Sequence, residues 1–239
     1  MAAVKTNVNR TLKHQIGDSV FHASPSRELG YSTHGKQVIR ENPGLLKAVY
    51  DFSNNKGIYH ADSKGRFKII HRYPKNGANT DRNYIVEIQN RKYFIKESND
   101  ENPDRDYSYK IKHNGGRDGV SEHKAIEILR QHGVDVISAH FSYSDPILKK
   151  SFIAYDFSPL SSLLDLYVSG KIKKSEYEFL KKEIQEKLNA TEEEIKQKFS
   201  TLGIDNYTQV WDLKLENIFY DLKNRRFLVF DPILLREKR

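Results

Sequence analysis

The stretch from Val210 to Leu235 gathers the side chains best suited to chemistry. Asp212 is followed by Lys214 two places on and by Asn217 five places on. Asp231 comes fourteen residues after Asn217, directly behind the apolar run FLVF. Carboxylate and amide oxygens suit a hard cation, and a carboxylate also takes a proton from a reacting group. Asp and Asn are equally the residues that cap turns, so D-x-x-x-x-N alone has a purely structural explanation. The added Lys, the hydrophobic pair Ile218–Phe219 and the second apolar strand ending in Asp set this stretch apart.

These residues need elements to position them. RFKIIHRY, NYIVEIQN and KYFIKES are β-rich runs from Arg66 onward, the last two joined by the tight turn QNRK, and they read as an antiparallel meander. SEHKAIEILRQHG reads as a helix with Ser121 as N-cap and Gly133 as its stop. VDVISAHFSYS and KKSFIAYDF read as two further strands. PLSSLLDLYVSG is a short helix, and SEYEFLKKEIQEKLNATEEEIKQKFSTLG is one long helix or two shorter ones. Residues 1–35 are polar and read as an extension or loosely packed leader, followed by a short helix over Asn42–Phe52 with Pro43 in its first turn. The strand ahead of Asp231 would deliver that carboxylate on a rigid support.

WDLKLENIF resembles the catalytic loop of protein kinases, and LVFDP resembles the strand that leads to their magnesium-binding Asp. The resemblance implies ATP and magnesium as ligands. Phosphoryl transfer needs positioning and neutralisation of negative charge more than covalent chemistry. By similarity Asp212 would accept or orient the proton of the acceptor hydroxyl and Lys214 would hold the γ-phosphate. Asn217 and Asp231 would coordinate magnesium. YFIKES resembles the strand that carries the ATP-binding lysine, which makes Lys96 the candidate. SEHKAIEILRQHGVDV is similar to the E-x-x-x-L-x-x-L-x-x-x-G-V pattern of atypical and small-molecule kinases, which makes Glu122 the partner of Lys96, with Glu127 as the competing choice. FIAYDFSPL resembles the fifth strand and hinge, where backbone groups near Asp156–Ser158 would meet adenine.

The resemblance spans residues 66–235, and its most specific part is 210–232. Trp211 stands where the family has Arg, Val210 where it has His, and DPI replaces DFG. Gly77 is the one glycine between the first two meander strands, so phosphate contact would fall to KNGANTDR, with Lys75 and Arg82 adding charge. Eight residues follow Asp231, so the platform on which protein kinases dock peptides is not expected.

The expected architecture is therefore α+β, a two-lobed protein-kinase-like fold. Residues 1–65 form an extension, 66–157 an antiparallel-sheet N-lobe, and 158–239 a truncated, mainly helical C-lobe. The expected activity is ATP-dependent transfer of the γ-phosphate to a hydroxyl by a minimal Ser/Thr kinase. The competing readings are a small-molecule or lipopolysaccharide-type kinase, a non-catalytic kinase-like module, and an AMP transferase on the same scaffold.

Composition narrows the partners. With 37% hydrophobic and 30% charged residues the chain reads as globular, and with no cysteine it has neither disulfides nor a thiolate metal site. The net charge of +8 is spread along the chain among acidic residues, so nucleic acid is not an expected partner; the acceptor is a protein or a small molecule. No run of 18 apolar residues occurs and the N-terminus has no leader-like apolar run, which implies a cytoplasmic protein or an effector secreted without a cleaved leader. DFSNNKGIYHAD resembles a calcium loop, but its glycine comes one place late and it reads as a turn. Ser24 and Ser26 flank Pro25 without a nucleophile elbow, giving no support to hydrolase chemistry.

Overall fold

The computed structural model describes residues 12–24, 27–54, 67–73, 82–99, 119–145, 150–158, 160–201, 207–209, 217–230 and 235–236. The meander forms as its β-rich runs imply: β4 (Phe67–Tyr73), β5 (Arg82–Ile88) and β6 (Arg91–Asn99) pair antiparallel in sequence order. Gln89 and Asn90 close the β5–β6 hairpin with φ of 51° and 65°. Both lie in the left-handed region, the turn geometry that matches the twist of a hairpin.

β7 (Ala139–Asp145) and β8 (Lys150–Asp156) join the same sheet, with β8 inserted between β6 and β7. With β1 (Leu12–Ile16), β2 (Ser19–Ser24) and β3 (Arg27–Ser32), the order of this sheet is β1-β2-β3-β7-β8-β6-β5-β4, antiparallel throughout. The chain is thus an α+β protein built on an antiparallel sheet.

The first three of those strands correct an expectation. Residues 12–32 are not a loose leader: β1 (Leu12–Ile16), β2 (Ser19–Ser24) and β3 (Arg27–Ser32) extend the sheet, and β3 pairs with β7 from Glu28↔Ser144 to Tyr31↔Phe141. The segment looks polar because its side chains are only partly covered, with Phe21 as the large buried exception. α1 (Thr33–Glu41) follows at once, capped by the Ser32 hydroxyl, which accepts from the Gly35 amide at 3.0 Å. Gly35 is required there, because a Cβ would overlap the His140 carbonyl of β7. The helix expected over Asn42–Phe52 is α2 (Leu45–Asn54); Pro43 falls in the turn before it rather than in its first turn.

β8 shows how the two faces are filled. Phe152 and Ala154 join a core with Val38 of α1 and Leu45 and Val49 of α2. Ile153 and Tyr155 point the other way, into a core with α3 (Gly119–Gln131), α4 (Leu163–Val168) and α5 (Lys174–Thr201). Alternate residues of a strand face opposite sides, so the run SFIAY is buried throughout because both sides are covered.

α3 begins at Gly119, which places Ser121 inside its first turn rather than at its cap. It ends where expected: Gly133 has φ of 73° and the Val134 amide donates to the Leu129 carbonyl at 3.0 Å, closing a Schellman turn. SEYEF onward is a single 28-residue helix, α5, whose Tyr177, Leu180, Ile184 and Leu188 form its buried stripe. β9 (Ser161–Ser162), β11 (Ile218–Asp221) and β12 (Arg226–Val229) make a small sheet that packs with α4 and α5, while β10 (Tyr207–Gln209) pairs with β13 (Leu235–Arg236). Among the described residues no helix is long and apolar enough to cross a membrane.

Candidate functional site

Lys96 lies in the middle of β6, paired with Asn83 of β5 and Ile153 of β8. Tyr93 and Ile95 turn toward α1 and α2, which leaves Phe94 and Lys96 on the α3 side. Lys96 Nζ is 3.3 Å from Glu122 Oε2, with both side chains almost fully buried. Glu122 occupies the first turn of α3, where the positive end of the helix favours a carboxylate. Its other oxygen accepts from the hydroxyl of Tyr155, a wholly buried residue of β8. One carboxylate is therefore held by a cation from one strand and a phenol from the next.

Of the two candidate glutamates, the structure brings Glu122 to Lys96. Glu127 turns toward the N-terminal strands: Oε2 accepts from the Asp18 amide at 3.2 Å and Oε1 faces Arg130 at 3.2 Å.

The stretch with the strongest sequence signal is described in part. Asn217 stands at the start of the β11–β12 hairpin, and the Phe230 amide donates to its carbonyl at 2.8 Å. The fourteen-residue interval between Asn217 and Asp231 is thus a strand, a turn and a returning strand, which puts position 230 beside position 217. Asp221 tightens the turn by accepting from the Lys223 and Asn224 amides, and the Asn224 bonds hold its carboxyl below the usual range. Val229 fixes the hairpin to the segment after α3, accepting from the Ile137 amide and donating to the Asp135 carbonyl.

Phe230 carries the hairpin to the Lys96 pair. Its ring lies 4.9 Å from Tyr155, 5.5 Å from Phe94 and 5.6 Å from Phe219. Tyr155 holds Glu122, and Phe94 shares the face of β6 with Lys96. The residue before Asp231 is thus packed on the aromatic rings next to the buried ion pair. Asp231 itself, Asp212, Lys214 and Gly77 lie outside the described residues, as do Lys75 and Trp211. Among the described residues no three His, Asp or Glu gather as metal ligands.

A second polar cluster, absent from the sequence-based expectations, sits where β8 ends. Asp156 Oδ1 is 2.6 Å from the Arg91 guanidinium and 2.9 Å from His140 Nε2, the latter at ion-pair distance but off the line of a well-formed hydrogen bond. Burial raises the Asp156 carboxyl, yet His140 and then Arg91 outweigh it and hold the pKa at about 2. His140 Nδ1 lies 3.3 Å from the Ser32 hydroxyl, and His34 Nε2 lies 2.9 Å from the Tyr93 hydroxyl. Burial and the neighbouring His140 push His34 below its ordinary pKa. Ser32, His140 and Asp156 have the residue types of a hydrolytic triad, but Ser32 is buried and committed to capping α1. These six residues come from four separate stretches of the chain, on β3 and α1, β6, β7 and β8, so no single local motif announces them.

A cleft of about 630 Å³ opens beside this cluster, lined by Arg91, Asp135, Asp156, Ser158 and Arg226 among others. Lys96 and Glu122 do not line it. The segment expected to meet adenine therefore borders a cavity, while two of its amides serve the fold: Asp156 donates to the Ser138 carbonyl at 2.9 Å and Phe157 to the Lys92 carbonyl at 3.2 Å.

No protein-family model matches the chain, and no curated protein is similar to it in sequence.

Proposed function

We propose that the chain is an ATP- and magnesium-dependent phosphotransferase with a two-lobed, protein-kinase-like fold. The observation that carries this reading is the buried Lys96–Glu122 pair, on the third strand of the meander and the first turn of the next helix. That strand-lysine and helix-glutamate pair must be in place in protein kinases, where the lysine meets the nucleotide phosphates. A buried ion pair is a poor device for stability alone, because a well-packed apolar pair does as well or better. A buried lysine held between a strand and a helix therefore supports a role in binding an anion.

On this reading the meander, α3, β7 and β8 form the nucleotide-binding lobe, and α4, α5 and the β11–β12 hairpin belong to the other. The Lys96 ammonium contacts the α- and β-phosphates, and Glu122 orients it. Asn217 and Asp231 are the oxygen donors for magnesium, which neutralises phosphate charge when bound. The pairing of Asn217 with Phe230 supports this, since it joins the two ends of the hairpin from which both donors come. By the resemblance, phosphate contact would fall to Gly77 and its neighbours. Asp212 accepts the proton as the acceptor hydroxyl oxygen bonds to the γ-phosphorus, the bond to the β-phosphate oxygen breaks, and ADP leaves. Lys214 offsets charge on the transferred group, which favours a Ser or Thr acceptor.

Parallel incubation with γ-labelled and α-labelled ATP tests the proposal. Transfer of the γ label supports it, transfer of the α label alone means AMP transfer, and transfer of neither points to a non-catalytic module. The fraction that takes the label, protein or small molecule, gives the acceptor class.

A further inference from the structure

We infer that the N-terminal strands β1–β3 act as a built-in clamp that positions Glu122 for Lys96 by gripping the first two turns of α3; this rests on the phosphotransferase reading for its catalytic meaning. Three successive contacts carry the inference. The Asp18 amide donates to Glu127 Oε2 at 3.2 Å, the Ser19 hydroxyl lies 3.1 Å from His123 Nε2, and Glu28 meets Lys124 Nζ at 2.8 Å. His123 and Lys124 directly follow Glu122 along the helix, and Glu127 stands five places after it. Phe21 completes the grip, fully buried, with its ring 5.1 Å from the His123 ring and Lys124 Nζ 5.6 Å above it.

The grip is anchored on both sides. His123 Nδ1 is 3.0 Å from the Ser142 hydroxyl of β7, so one imidazole ties β2, α3 and β7 together. Burial, then His140 and Arg130, lowers its pKa to about 3, so the ring is neutral and serves as a donor to one hydroxyl and an acceptor for the other. Gly17 has φ of 56° and a Cβ there would collide with the Glu127 carboxylate, so the β1–β2 turn is shaped to receive it. β3 in turn is fixed to β7 by its ladder. A helix end held this way cannot shift along its axis without breaking several bonds, and Glu122 rides on that end. Ser19 and Glu127 are therefore positioning residues that act through Glu122.

The test measures how fast Lys96 of the full-length protein is acylated by acetic anhydride, read by peptide mass spectrometry, with melting temperature as the check on folding. The variants are Ser19→Ala/Glu127→Ala, Glu122→Gln, and all three together. The clamp predicts that Lys96 acylation rises by about twofold or more in Ser19→Ala/Glu127→Ala, the lower range of coupling between contacting residues, and that it rises no further when Glu122→Gln is already present. An unchanged rate, or the same proportional rise in the Glu122→Gln background, overturns the inference. Should the double variant melt below the assay temperature, Glu28→Lys replaces it, and adding Lys124→Glu must restore the wild-type rate; failure to restore it likewise overturns the clamp. Magnesium–ATP added to the wild type separates the two proposals. If it does not slow Lys96 acylation the phosphotransferase reading fails, while the nucleotide-free rates still decide the clamp.

Discussion

The Tyr155 hydroxyl donates to the same carboxylate, that of Glu122, whose second oxygen faces the Lys96 ammonium. Three buried polar groups from β8, α3 and β6 thus share one arrangement, and each sets the place of the others. Tyr155→Phe removes that donor from a buried carboxylate. The expected loss of stability is about 1–3 kcal/mol, measured by urea unfolding, together with weaker binding of magnesium–ATP by titration calorimetry. Unchanged values for both would show that the phenol contributes nothing to holding the carboxylate.

Lys96→Met removes the cation that faces the buried Glu122 carboxylate, and breaking such a pair costs about 3–5 kcal/mol. Lys96→Met/Glu122→Leu removes both charges and should recover most of that loss. Nucleotide binding should stay lost in the double variant. Stability and binding read side by side separate a structural pair from a functional one, because a purely structural pair would recover both or have no binding to lose.

His123 makes acid stability predictable. Its pKa is lowered from the ordinary 6.5 to about 3, chiefly by burial. Between those values the unfolded chain binds a proton that the folded chain refuses, so stability rises with pH across that window and falls as the solution is acidified from 6.5 towards 3. Replacing His123 with Gln should flatten this slope. Chemical unfolding of wild type and variant at several pH values reads it directly, and parallel slopes would count against a neutral buried ring.

Asp156 acts lower on the scale. Its folded pKa of about 2 lies below the ordinary 3.8, so its contribution is present above pH 3.8 and is lost as pH falls through about 2. Asp156→Asn should melt lower than the wild type at neutral pH and converge with it near pH 2. Half-exposure of the carboxylate screens the pair, which keeps the difference modest.

Asp212→Ala should leave magnesium–ATP binding intact while slowing transfer by about 10²–10⁴, the range for acid–base groups. Rapid-quench measurement of label transfer at saturating ATP isolates that step. A variant with reduced affinity and normal transfer would move Asp212 out of the proposed role.

The core of the sheet was legible because three β-rich runs follow one another and the tight turn QNRK joins the last two, so Lys96 could be assigned to the third strand. The resemblance to the E-x-x-x-L-x-x-L-x-x-x-G-V pattern favoured Glu122, and the apolar run FLVF marked the strand that leads to Asp231. Residues 12–32 were not legible as strands, since most of their side chains stay partly exposed and only Phe21 is a large buried apolar residue. The cluster of His34, Arg91, His140 and Asp156 was hidden for a different reason. Its members meet through the sheet order that brings β8 between β6 and β7, a tertiary fact with no local pattern.

The most direct measurement is magnesium-dependent turnover of γ-labelled ATP by the wild type and by Asp231→Ala, with circular dichroism confirming that both are folded. The account predicts turnover in the wild type and its loss in Asp231→Ala. Equal turnover in the two proteins would contradict it.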